Sequence, residues 1–304
     1  MDKDVMSEEE LWLALPTVEK GEKADLLMAL ARQASSRGAH LQSLELAEAA
    51  LVAYEELGLA ASQEDVATCH WGIGYANKAL RRVDIALKEI DLAIAIYRNC
   101  GCTFLGDVLR TRGDWCSEIE DWEAALSGHL ESVRHNEIEG NVVGEASAWL
   151  KVGYVYNNQK RFGEAVQAFE TARGKYKEEK VVHQVARCER WLANCFVELG
   201  DAERAYEYAR RSMNIAELSQ ERFPILYAHL ALGRSLLALG NLADAETHFD
   251  EAYRLSVQCD ASDMEWDFII KVQTELSKLY RLQERGEEAD VVDERIQSVR
   301  EVLE

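Results

Sequence analysis

Seven histidines, at 40, 70, 129, 135, 183, 229 and 248, and seven cysteines, at 69, 100, 102, 116, 188, 195 and 259, are the residues best suited to metal or nucleophilic chemistry. On a helix, such a site needs two ligands at i,i+4 or a Cys-x-x-Cys clasp. No two histidines are four apart, and no Cys-x-x-Cys occurs. His129 and Cys116 share one segment, but no orienting third group accompanies them, as an activated nucleophile requires. Gly72-Ile73-Gly74 lies inside a helix-period pattern, so it is a packing element and not a phosphate loop. Carboxylates are too numerous for one pair to stand out. This points away from an enzyme, and neither metal nor cofactor is expected. Cys188 and Cys195 fall in helical stretches, where reduced thiols act as small core residues.

Composition narrows the remaining classes. The chain has 304 residues, 48% of them hydrophobic, and only two prolines. A proline costs about 3 kcal/mol in a helix interior, so this scarcity favours an all-helical fold. The formal net charge of −21 repels phosphate backbones and anionic lipid, which excludes nucleic acid and membrane as first partners. No apolar run nears the roughly 20 residues of a membrane span, and no signal segment opens the chain. A cytoplasmic setting is expected.

The elements that must position any surface come from a recurring helical hairpin. In residues 142–179, Trp149, Gly153 and Tyr156 share one helical face, and Ala165, Phe169 and Ala172 share a second. Large and small residues thus alternate on two facing helices, separated by a break at 159–161. The small residue opening the second helix recurs at Ser43, Ala86, Ala125, Ala165, Ala205, Ala245 and Ala289, with gaps of 43, 39, 40, 40, 40 and 44. Partners in the first helix are Ala31, Gly74, Gly113, Gly153, Ala193, Gly233 and Ser277, and Gly38, Gly200 and Gly240 mark turns. A hairpin of this size cannot bury its own faces, so copies must stack. Residues 1–20 stand apart. Ser7 and Glu10 form a capping box before Leu11, Trp12, Leu13 and Leu15, with Pro16 as a stop, which predicts a short capping helix. The last helix, over 287–304, is polar enough for the opposite end.

These residues resemble the tetratricopeptide repeat, most fully in Leu232, Gly233, Leu236, Gly240, Ala245, Phe249 and Ala252. The resemblance implies an all-α, right-handed alpha-solenoid of helix-turn-helix repeats at about 21–60, 61–102, 103–140, 141–180, 181–220, 221–261 and 262–304, behind the cap at 1–20. The period of about 40 exceeds the usual 34. In this it is similar to kinesin light chains and bacterial peptide-sensing regulators. The closing proline is missing, and repeat three carries Arg112, Cys116 and His129 at usually apolar positions.

The resemblance also implies which side chains face the inner wall. Transferred offsets place Tyr75, Lys78, Arg110, Tyr154, Asn157, Asn158, Arg187, Arg190, Asn194 and Arg234 there, together with Met28, Leu150 and Lys271. Cations outnumber acids on this wall. Asparagine can donate to and accept from a peptide backbone at once, and arginine forks onto a carboxylate. The expected function is non-catalytic protein–protein interaction, holding an acidic or C-terminal peptide segment of a partner. The alternatives are a peptide-sensing regulator acting on a separate effector chain, and a self-associating assembly protein. Against the groove stand two simpler readings: Arg110 and Asp114 are i,i+4 and can pair, and a one-residue register shift turns the tyrosines into core.

Overall fold

The computed structural model describes residues 7–16, 18–58, 62–101, 104–219, 221–258 and 266–303. Cys102 and Cys259 lie outside them. The described residues form fifteen α-helices, from α1 (Glu8–Ala14) to α15 (Gly286–Leu303). The capping box is present: Ser7 Oγ accepts from the Glu10 amide, and the Ser7 amide donates to Glu10 Oε2 at 2.8 Å. Leu11 is fully buried against α2 (Lys20–Ser36), so α1 is a short N-terminal cap.

Seven hairpins follow: α2 with α3 (His40–Leu57), α4 (Gln63–Ala79) with α5 (Val83–Cys100), α6 (Leu105–Glu118) with α7 (Trp122–Ile138), α8 (Val142–Asn158) with α9 (Phe162–Glu178), α10 (Val182–Glu198) with α11 (Ala202–Ser219), α12 (Arg222–Ala238) with α13 (Leu242–Val257), and α14 (Trp266–Leu282) with α15. The chain is an all-α solenoid of helix-turn-helix repeats. Its contacts define two compact units, Met1–Ala148 and Trp149–Glu304. Leu30, Ala47 and Tyr54 centre one cluster of the first unit, and Ile90, Tyr97 and Leu109 another. The second unit is built on Phe249, Phe268 and Leu279, with Ala209 and Met213 in a neighbouring cluster.

Each marker residue is the fourth of its helix and is buried, from Ser43 to Ala289. Each stands twelve residues after its small partner in the preceding helix. The turn between them is closed the same way in every hairpin. Five residues before each marker lies a left-handed residue: Gly38, Arg81, Glu120, Lys160, Gly200, Gly240 and Glu284. The next amide reaches back five residues, as in Arg161 N to Tyr156 O at 2.9 Å and Asn241 N to Leu236 O at 2.9 Å. This satisfies carbonyls that the helix end would leave orphaned.

Two residues expected on the inner wall are buried instead: Met28 and Leu150. Met28 Cε lies 3.3 Å from where a Cβ on Gly72 would stand, so it fills the gap that glycine leaves in the next hairpin. Side chains on a helix lean toward its N-terminus, which carries this position under its neighbour.

Candidate functional site

Tyr154, Asn157, Asn158, Arg187, Arg190, Asn194 and Arg234, named above from three different repeats, line one groove of about 680 Å³ in the second unit. Its walls come from the first helices of successive hairpins: the end of α8, then α10, α12 and α14. Lys271, also expected there, lines it as well.

The aromatic groups are fixed by one another. The Trp191 indole stacks on the buried Phe169 ring at 5.7 Å and meets Tyr154 edge-on at 5.5 Å. Tyr227 sits edge-on to Phe268 at 4.6 Å, and the Arg190 guanidinium lies 4.2 Å over the Tyr227 ring. Offset and edge-on pairs of this kind add about 0.5–1.5 kcal/mol beyond area burial, so the groove is preorganised.

Of its cations, Arg234 is already engaged. Its Nη1 donates to Asn194 Oδ1 at 2.9 Å, its Nη2 to Glu198 Oε1 at 2.7 Å, and its Nε lies 3.3 Å from Glu275 Oε1. Arg234 thus ties α10 to α14 across α12. Arg187 and Lys271 are exposed and make no ion pair among the described residues. Glu221 is the one acidic group among the lining residues. Asn158 Nδ2 donates to Tyr154 O at 2.9 Å, and Cys195 Sγ lies 3.6 Å from Asn157 Oδ1.

The other three expected residues are in the first unit. Tyr75 and Lys78 border a hollow of about 400 Å³. There Tyr75 is edge-on to Trp115 at 5.2 Å, and Lys78 pairs with Glu118. Arg110 lines neither space: it pairs with Asp114 at 3.5 Å, the i,i+4 partner named above, and also with Asp107 at 3.2 Å.

Trp191, Phe223 and Pro224 also line the groove and were not anticipated. Trp191 follows Arg190 and belongs to the core face, but its indole is broad enough to reach both sides. Phe223 and Pro224 occupy the first turn of α12, beyond the transferred offsets. A proline in a first helical turn was the available signal.

Burial pushes the Cys69, Cys188 and Cys195 thiols up to about 12, so they stay protonated at neutral pH. His229 and His248, on facing helices of one hairpin, approach to 2.9 Å through their Nδ1 atoms. Burial, then the neighbouring ring, pushes His229 down to about 4, and burial lowers His248. Among the described residues, no group of three or more His, Cys, Asp and Glu could hold a metal ion, and no helix is long and apolar enough to cross a membrane.

The family model of the tetratricopeptide repeat matches residues 146–172. No curated protein matches the chain in sequence. Aspartyl phosphate phosphatase F from Bacillus subtilis shares the fold with a TM-score of 0.71 at 14% identity, over 97% of this chain and 77% of that one. A Rap protein complexed with competence and sporulation factor gives 0.63 at 14% identity, over 97% and 79%. A tetratricopeptide repeat protein from Parabacteroides merdae gives 0.64 at 14% identity, over 91% and 93%. With its seven hairpins and its period, the chain has the fold of tetratricopeptide repeat proteins, and residues 146–172 match that repeat directly.

Proposed function

We propose that this chain is a non-catalytic, cytoplasmic interaction protein whose second unit holds an acidic or C-terminal segment of a protein partner. One observation carries the reading: side chains from four repeats converge on one groove whose lining has four cations, Arg187, Arg190, Arg234 and Lys271, in a chain of net charge −21. Asn157 and Asn158 supply amides that can meet a peptide backbone as donor and acceptor. The aromatic contacts hold the walls in place, so binding would order the ligand alone and lose little entropy in the protein. The Rap protein of the same fold was solved in a complex, which agrees with an interaction role.

The double substitution Arg190→Ala with Asn194→Ala tests this. Wild type and variant are immobilised, and captured proteins are quantified by mass spectrometry alongside circular dichroism. Specific partners should fall at least several-fold on a variant that keeps its helix content. Unchanged capture would overturn the proposal.

A further inference from the structure

We infer that the groove chooses its partner segment by one large apolar anchor side chain, with an acidic residue beside it drawn to Arg187 and Lys271. This rests on the groove being a peptide site. The floor includes two alanines, Ala186 and Ala231, both buried. Around them stand the much larger Trp191, Phe223, Tyr227 and Leu230. Small residues under large walls make a socket for an aliphatic or aromatic side chain, the form in which an interface concentrates its binding energy. The walls are supported from behind: Tyr227 by Phe268, and Trp191 by Phe169. Phe223 is 38% exposed, with the Arg222 guanidinium 5.5 Å from the centre of its ring.

The charges assign the flanking group. Arg234 is engaged by Asn194, Glu198 and Glu275, so it positions the helices and does not await a carboxylate. Arg187 on α10 and Lys271 on α14 have no such engagement among the described residues. Exposed cations contribute little affinity but steer and orient, so they fix the sign of the neighbouring residue while the anchor supplies the grip. A segment with lysine or arginine beside its anchor is rejected.

A phage-displayed library of random dodecapeptides, panned against the full chain, reads this out. The selected consensus should contain one Leu, Ile, Met, Phe or Trp next to Asp or Glu. A fluorescein-labelled copy of the dominant peptide, followed by anisotropy, should bind at least tenfold more weakly to Phe223→Ser and to Arg187→Glu. Both side chains are exposed, and circular dichroism checks that each variant keeps its helix content. Replacing its anchor with serine should cost more than replacing its acid with asparagine. A consensus without an apolar residue, or with a basic neighbour, overturns the inference. So does undiminished binding to Phe223→Ser and Leu230→Asp when Arg190→Ala with Asn194→Ala abolishes it, and in that case the groove itself survives as a peptide site. Peptides indifferent to all these substitutions, or no selection above background, would remove the peptide site as well as the anchor.

Discussion

The Phe169 ring occupies the space a side chain on Gly153 would need: a Cβ there would stand 2.6 Å from the ring's Cδ1 and Cε1. Gly233 meets Phe249 at 2.5 Å, and Gly113 meets His129 at 2.6 Å, always sixteen residues on. Where the first helix carries alanine instead, as at Ala31 and Ala193, the residue sixteen on is Ala47 or Ala209. His129 therefore replaces a phenylalanine at the same joint, buried to 1% exposure. In these five hairpins the sizes of the two residues are balanced, whereas Trp115 of the next hairpin fills the space beside Gly74.

Gly153→Ala should destabilise the protein. Alanine gains about 1 kcal/mol in helix propensity over glycine. Overpacking a filled core costs about 1–3 kcal/mol or more, and Phe169, fully buried and stacked on Trp191, has nowhere to move. We expect a net loss of about 1–2 kcal/mol in urea denaturation. Adding Phe169→Leu should cost less than the two single changes summed, since the clash is shared.

Lys160→Gly should act the other way. Lys160 holds φ at 59° in the turn between α8 and α9, where a side chain costs about 1–2 kcal/mol and glycine does not. Glycine's extra freedom when unfolded offsets part of that gain. The expected rise is about 0.5–1 kcal/mol, read as a higher melting temperature. Gly200→Ala, with φ at 77°, should lower it.

Acid should weaken the protein before its carboxylates titrate. His229, held near 4 in the fold against about 6.5 when unfolded, binds its proton less readily in the native state. Stability therefore falls as pH drops from about 6.5 toward 4 and levels off below. His248 shifts the same way. Because both rings are partly exposed, we expect the wild type to lose about 1–2 kcal/mol between pH 7.5 and 5. His229→Leu should flatten that slope in urea midpoints, and an unchanged slope would remove His229 as its source.

Arg234→Met should loosen the second unit. It leaves Glu275, 14% exposed at its side chain, with Lys278 alone at 3.2 Å, and takes the arginine contact from Glu198. Unmaking such contacts costs about 1–3 kcal/mol in urea denaturation. Arg234→Lys should rescue little, since an ammonium cannot reproduce a fork that reaches Asn194, Glu198 and Glu275.

The period was legible because close helix approach leaves no substitute for a small residue at Ala165 and its counterparts. The turns were legible only where they carry glycine. At Arg81, Glu120, Lys160 and Glu284 the left-handed residue is charged, and backbone bonding imposes the conformation that the side chain disfavours. The His229–His248 contact escaped because its spacing of nineteen spans two helices and follows no single-helix rule. Arg187 and Asn194, assigned by offset, line the groove of the second unit. Met28, packed against Gly72 of the next hairpin, and Leu150 are buried instead, and Arg110 pairs with local acids.

The twelve-residue step inside every hairpin implies a consequence for change over time. All variation in period, from 39 to 44, falls outside that step. The differences in length lie in the joints between hairpins and in the start of α6, which is three residues shorter than the other first helices, while the turn that closes each hairpin is constant. The residues that face the groove can therefore differ from hairpin to hairpin without changing how the two helices of each hairpin meet.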